Sequence, residues 1–191
     1  MLPAADLDRV VEHSAPHFER LRGATVLITG ATGFFGRWML ESLMWANRQL
    51  SLDLRCIAHG SARSAGSAQP QFDGTVDWVF GEVEALPHLL IQAGYAPESL
   101  GAIVHLAVSA GTADGRPRPL GAFTDAVQGA HAVLEMARRA RGCRVLITSS
   151  GAVYGRQASV HQALSEDLLP MADPLDVADG YGAAKRAVEF L

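Results

Sequence analysis

The stretch VLITGATGFFG, residues 26–36, decides how this chain is interpreted. An apolar run leads directly into three glycines spaced three residues apart, Gly30, Gly33 and Gly36, and a helical pattern follows. In such a strand–turn–helix unit the first glycine permits a tight turn, the second lets the backbone approach a pyrophosphate, and the third lets the helix pack closely on the strand. The N–H groups at the start of the helix attract phosphate. The stretch therefore predicts a dinucleotide-binding turn rather than a glycine-rich turn with no ligand.

Apolar strand-like runs alternate with helical patterns along the rest of the chain. The runs are continuous rather than alternating, so they predict strands with both faces buried in a parallel, doubly wound α/β sheet of the Rossmann type. Residues 1–23 form a predicted N-terminal helical extension, broken at Pro16, and residues 24–191 a predicted NAD(P)-binding Rossmann domain. The predicted strands are 25–30, 53–58, 76–81, 101–107 and 143–150; the predicted helices are 34–50, 85–95, 122–140 and 181–191; and residues 60–74 are a predicted surface loop.

Composition excludes several classes of protein. Hydrophobic residues make up 49% and charged residues 19% of 191 residues, which is ordinary for one soluble domain. A net charge of −4 argues against a nucleic-acid or anionic-membrane partner. No apolar run approaches the roughly 18 residues of a membrane helix, and the acidic start is unlike a signal peptide. With two cysteines in apolar runs, these features favour a cytoplasmic protein. His13 and His17 lack a third ligand, so no metal site is predicted.

The end of the second predicted strand lacks an expected acid. A carboxylate there commonly binds the ribose 2′-hydroxyl of the dinucleotide. Here Asp53 stands at the start of the strand, and the end reads AHGSAR, residues 58–63. Arg63 or His59 could instead bind a 2′-phosphate, which would favour NADP, or Arg63 could be a solvated loop residue. The choice between NAD and NADP stays open at this point.

Tyr181 and Lys185 lie four residues apart, on one face of a predicted helix. A tyrosine phenol is a poor base at neutral pH, and a neighbouring ammonium favours its phenolate form. Ser149 and Ser150 end the strand 143–150, and ligands bind at the carboxyl ends of strands in a doubly wound sheet. A serine hydroxyl there could orient a substrate alcohol or carbonyl beside Tyr181.

Four motifs appear in a fixed order: the glycine triplet, HLA at 105–107, SSGAVYG at 149–155 and YGAAK at 181–185. Together they resemble the extended short-chain dehydrogenase/reductases, the NAD-dependent epimerase/dehydratase family that modifies nucleotide sugars. The resemblance implies Tyr181 as base, Lys185 as its partner and Ser150 as the catalytic hydroxyl. In that family the base takes a proton from a sugar hydroxyl while the cofactor takes hydride from the same carbon. The keto sugar is then reduced, epimerised, dehydrated or decarboxylated.

The resemblance also implies cofactor contacts and a partner. Glu82 and Val83 fall where a Gly-Asp-hydrophobic segment contacts adenine, with Glu82 replacing the aspartate, and Leu106 and Ala107 would line the cofactor. The family commonly dimerises through the Tyr–Lys helix, which implies a homodimer. The remaining expected contacts of NAD, or of NADP, are Gly30, Thr32, Gly33, Phe34, Phe35, Gly36, His59, Arg63, Ser149, Tyr181 and Lys185.

Several features depart from the family pattern. Dehydratases usually carry Asp-Glu where this chain has Gly151 and Ala152, which favours an epimerase. A common asparagine is replaced by Ala126, and the interval from Ser150 to Tyr181 is somewhat long. Family members continue well past the Tyr–Lys helix, so the chain is expected to be truncated there and to lack the C-terminal substrate domain.

Two other functions remain open from the sequence. One is a catalytically silent NAD(P)-binding module, a redox sensor or an assembly subunit. The other is a fatty-acyl or thioester reductase domain, whose opening motif is similar. The Tyr181–Lys185 pair favours an enzyme, because a sensor does not need an activated phenol.

Overall fold

The computed structural model describes residues 2–66, 76–108, 112–113, 116–117, 119–155, 163–167, 173 and 176–191. Residues 67–74 of the predicted loop 60–74 lie outside the described residues. Strands and helices alternate as the sequence predicts. The helices are α1 Ala4–Glu19, α2 Phe34–Leu50, α3 Leu86–Gln92, α4 Pro119–Arg139 and α5 Gly180–Phe190; the strands are β1 Thr25–Thr29, β2 Arg55–Gly60, β3 Val76–Phe80, β4 Leu100–His105, β5 Thr112–Ala113, β6 Arg116–Pro117 and β7 Arg144–Ile147.

Five parallel strands form the main sheet in the order β3-β2-β1-β4-β7, and β5 and β6 form a separate antiparallel pair. The strand order reverses beside β1, which is where doubly wound sheets bind ligands. Thr29 lies in register with His59 of β2 and His105 of β4, so the carboxyl ends of these three strands are level. The Rossmann-type parallel sheet predicted from the sequence is confirmed.

Helices pack on both faces of this sheet because alternate strand residues point to opposite sides. On one face, strand residues such as Val26, Ile28, Cys56 and Ala58 pack with α1 and α2. The α2 residues Leu40 and Leu43 belong to the same cluster. On the other face, the strand residues Leu27, Ile57 and Ile103 pack with α3 and the second half of α4. The helix residues of this cluster include Leu86, Leu90 and Met136. Each fully buried aliphatic side chain stabilises the fold by about 1.5–3 kcal/mol.

Helix α1 differs from its prediction because it continues through Pro16 to Glu19. A proline removes one backbone hydrogen bond, and here it does so in the last turns of a helix that tertiary contacts also hold. Phe18, beyond the proline, is buried in the core, and the Trp45 indole N–H donates to Asp8 Oδ1 at 2.8 Å. Packing on α2 therefore outweighs the local break.

Strand β7 also differs, because the prediction that both of its faces are buried is wrong. Exposure alternates along it, and Leu146 is 49% exposed. The reason is its place at the edge of the sheet, because among the described strands it pairs with β4 alone. The strand also ends at Ile147, which leaves Thr148, Ser149 and Ser150 beyond it.

The chain divides into two compact units. The sheet unit comprises residues 1–107 and 132–147, and the Tyr–Lys unit comprises residues 108–131 and 148–191. The glycine turn belongs to the sheet unit, whereas Ser150, Tyr181 and Lys185 belong to the Tyr–Lys unit. Among the described helices, none is long and apolar enough to cross a membrane.

Candidate functional site

Gly30 and Gly36 are required by the packing of the glycine turn itself. Gly30 has a φ of +70°, and a Cβ added to it would lie 2.8 Å from the Ala107 nitrogen. A Cβ added to Gly36 would lie 2.1 Å from the Gly30 carbonyl oxygen. These distances are too short for any side chain, so both glycines allow close backbone contact within the chain.

Gly33 is different, because a side chain there would meet the rest of the chain much less closely. It is exposed, and an added Cβ would meet only the Gly30 carbonyl oxygen, at 3.3 Å. Gly33 is also the N-cap of α2, and no side chain caps this helix. The N–H groups of a first helical turn have no acceptor within the helix. The turn therefore fits an anion lying against the bare backbone, and a Cβ at position 33 would intrude on that space.

Thr32, Phe34 and Phe35 complete the turn. Thr32 is half-buried, and its hydroxyl lies 3.5 Å from Ser64 Oγ. Both phenylalanines are 71% exposed, and their rings meet edge to face with centroids 5.3 Å apart. The first turn of α2 thus presents backbone N–H groups beside two uncovered aromatic rings.

Thr29 joins the turn to the end of β4. Its buried hydroxyl accepts hydrogen bonds from the backbone N–H groups of Leu106, at 3.2 Å, and Ala107, at 3.1 Å. It lies 2.8 Å from Nδ1 of the buried His105. The Thr29 hydroxyl thus links this buried histidine to the backbone that follows β4. The predicted lining residues Leu106 and Ala107 are therefore held against the glycine turn, and the sequence analysis did not identify Thr29.

His59 at the end of β2 is only 2% exposed. Its Nε2 donates to the Gly81 carbonyl oxygen at 3.0 Å, so Nδ1 carries the lone pair. Burial lowers the pKa of His59 below its ordinary value, so the ring is neutral near pH 7. Among the described residues Nδ1 has no hydrogen-bond partner.

Hydroxyl groups follow His59 where an acid was expected. Ser61 Oγ lies 3.1 Å from Ser64 Oγ, and Arg63 is exposed on the 3₁₀ turn Ala62–Ser64 between them. At the end of β3, Glu82 is exposed and Val83 half-buried.

In the Tyr–Lys unit, Tyr181 is half-buried in the first turn of α5, and Lys185 is 3% exposed. The Lys185 ammonium donates to the Thr148 carbonyl oxygen at 2.7 Å. Burial lowers the pKa of Lys185 below its ordinary range. The structure therefore brings the predicted lysine to the segment that carries the predicted serines.

The two serines have different partners. Ser150 caps the 3₁₀ turn Gly151–Tyr154, and its Oγ accepts from the Ala152 N–H at 3.2 Å. The Ser149 hydroxyl donates to the Glu189 carboxylate. The sequence analysis did not identify Glu189, although its spacing of four residues from Lys185 is a signal that could have found it.

Among the residues that the structure describes, no group of three or more histidine, cysteine, aspartate or glutamate side chains could hold a metal ion.

A family model, described as the NAD dependent epimerase/dehydratase family, matches residues 26–191. The chain belongs to this family. No curated protein matches its sequence.

Solved structures share the fold of this epimerase/dehydratase chain at low identity. Epimerase Mth375 from Methanothermobacter thermautotrophicus has a TM-score of 0.68 at 18% identity, over 92% of this chain and 48% of that one. The Bordetella bronchiseptica enzyme WbmG, in complex with NAD and UDP, has a TM-score of 0.61 at 22% identity, over 86% and 47%. UDP-glucose 4-epimerase from Brucella ovis, in complex with NAD, has a TM-score of 0.61 at 21% identity, over 87% and 46%. The chain thus spans about half the length of these structures.

Proposed function

We propose that this chain is the cofactor-binding part of an NAD(P)-dependent oxidoreductase that modifies nucleotide sugars. The observation that carries the proposal is Gly33, the glycine of the triplet whose added Cβ would meet the chain least closely, at 3.3 Å from the Gly30 carbonyl oxygen. A pyrophosphate lying against the start of α2 would explain why position 33 is a glycine. It needs the N–H groups of the turn and the space that a Cβ would fill. Two of the similar solved structures are complexes with NAD, which supports this cofactor.

The proposed chemistry gives separate roles to three side chains. Tyr181 removes a proton from a sugar hydroxyl, and the Lys185 ammonium favours the phenolate that does so. The Ser150 hydroxyl orients the reacting oxygen. A bound nicotinamide would supply the group that accepts the hydride from the sugar carbon and later returns it. Tyr181 returns its proton when the keto carbon is reduced.

The substrate class rests on family membership and on one similar structure solved with UDP. Gly151 and Ala152 lack the carboxylates that a dehydratase would use for elimination, so we favour epimerisation over dehydration. The proposal includes a homodimer formed through α5 and a cytoplasmic location.

Isothermal titration calorimetry with NAD⁺, NADH, NADP⁺ and NADPH tests the cofactor site. We expect Gly33→Ala to weaken binding at least about tenfold, or roughly 1.4 kcal/mol, because the new methyl group displaces the phosphate. Gly66→Ala is the matched control, since Gly66 is also exposed and an added Cβ there meets nothing within 4 Å. Failure of all four cofactors to bind the wild-type chain would contradict the proposal.

The role of Tyr181 needs a second experiment, on a protein that joins this chain to the substrate domain of a family member. Tyr181→Phe removes the hydroxyl and keeps the ring, so cofactor affinity should persist while oxidation of a nucleotide sugar, followed as NADH absorbance, is lost. Unchanged oxidation in this variant would contradict Tyr181 as the base.

A further inference from the structure

Three contacts on one face of α5 tie this helix to the segment that follows β7. Gly182, Lys185 and Glu189 are spaced three and four residues apart, so they lie in line along the helix. A Cβ on Gly182 would lie 2.3 Å from the Ala152 carbonyl oxygen, so the first turn of α5 lies directly against that backbone. Lys185 binds the Thr148 carbonyl oxygen, and Glu189 accepts from the Ser149 hydroxyl.

Ser150 lies between these anchored positions. The carbonyl of Thr148 and the side chain of Ser149 are held on one side of it, and Ala152 is held on the other. Ser150 and Gly151 alone lie between the anchored Ser149 and Ala152, which limits the conformations open to the backbone of Ser150. Its backbone is extended, with φ −156° and ψ 147°, so its side chain points away from that of Ser149.

We propose that Glu189 is a positioning residue that acts through Ser149 to orient the hydroxyl of Ser150. The bond that carries this effect joins the Ser149 hydroxyl to the Glu189 carboxylate. The two adjacent serines then have separate roles, with Ser149 anchoring the segment and Ser150 presenting its hydroxyl to the substrate. The importance of Ser150 rests on the proposed function, whereas the contact between Glu189 and Ser149 does not.

The Ala152 amide reports the orientation of Ser150 directly, because it donates to Ser150 Oγ. Its chemical shift and hydrogen-exchange protection can be measured by ¹⁵N NMR on the whole chain. Glu189→Leu removes the acceptor and Ser149→Ala removes the donor, whereas Glu189→Gln keeps an acceptor without the charge. Arg186→Leu, on the same helix, is the control for a general disturbance of α5.

We expect Glu189→Leu and Ser149→Ala each to shift the Ala152 resonance and to reduce its protection about tenfold or more. Glu189→Gln and Arg186→Leu should keep the wild-type signal, and the double variant Ser149→Ala/Glu189→Leu should show no further loss. The amides of Ala184 and Val188 report whether α5 itself stays folded. If Glu189→Leu unfolds α5, Ser149→Ala alone decides, because that substitution is outside the helix.

An unchanged Ala152 signal in Ser149→Ala would overturn the proposal. An equal loss in Glu189→Gln would also overturn it, because charge rather than the hydrogen bond would then be responsible. These NMR measurements need no nicotinamide cofactor. A failure of calorimetry therefore contradicts the proposed function alone, and an unchanged Ala152 signal contradicts the role of Glu189 alone.

Discussion

At the scale of single residues, His59 occupies the place where many dinucleotide-binding proteins have an acid. It is buried and neutral, and its Nε2 hydrogen is donated to the Gly81 carbonyl oxygen. His59 therefore has no N–H left to donate to a 2′-phosphate. Of the two residues that the sequence suggests for binding this phosphate, only Arg63 could supply a positive charge. We therefore expect the preference between NAD and NADP to depend on Arg63 and its neighbouring serines, and calorimetry with Arg63→Ala would measure this dependence.

The burial of His59 predicts a pH dependence of stability. Because its pKa is lowered on folding, the unfolded chain binds a proton that the folded chain does not. Stability is therefore complete above the ordinary histidine pKa of about 6.5 and falls as the pH drops below it, by up to about 1.4 kcal/mol per pH unit. Urea unfolding at pH 7.0 and 5.5 should show this loss in the wild type and less of it in His59→Gln. The exposed His88, changed to Gln, is the control, and an equal pH effect in all three proteins would contradict the prediction.

At the scale of elements, the turn between β1 and α2 combines two requirements. Gly30 and Gly36 let the strand, the helix and the segment after β4 approach one another, while Gly33 keeps the start of α2 bare. The sequence pattern alone gives the three glycines equal standing. The distances from each added Cβ to its nearest backbone atoms distinguish Gly30 and Gly36, which the packing requires, from Gly33, which we propose contacts a ligand.

This separation predicts opposite effects for two alanine substitutions. Gly36→Ala places a Cβ against the backbone of Gly30 and Ala31, so it should lower the free energy of unfolding by about 1–3 kcal/mol. Gly33→Ala should change that free energy much less than Gly36→Ala does, while weakening cofactor binding. Urea unfolding of both variants checks the prediction, and an equal loss of stability in the two would show that Gly33 is also structural.

At the scale of the whole molecule, the proposed homodimer draws on α5, which carries both the Tyr–Lys pair and the exposed apolar Phe190. Phe190 is 92% exposed at the end of this helix. In the proposed dimer a second subunit would cover this side chain.

Light scattering should therefore give a mass twice the 20.3 kDa of one chain. Phe190→Glu should shift the protein to the monomer, because a charge in an apolar contact is costly to desolvate. Val177→Glu, at another exposed apolar residue outside α5, should leave the mass unchanged. A wild-type monomer at working concentrations would contradict this part of the proposal.

The sequence by itself determined the strand–turn–helix unit, the Rossmann-type class and the family, because local patterns encode them. Glycine spacing and the two hydrophobic periodicities depend on neighbours within a few residues. The continuation of α1 through Pro16, the exposed face of β7, the neutral state of His59 and the contact of Glu189 with Ser149 were decided by tertiary structure. Each depends on a partner far along the chain or on a position at the sheet edge. A local pattern carries no information about which distant group becomes that partner.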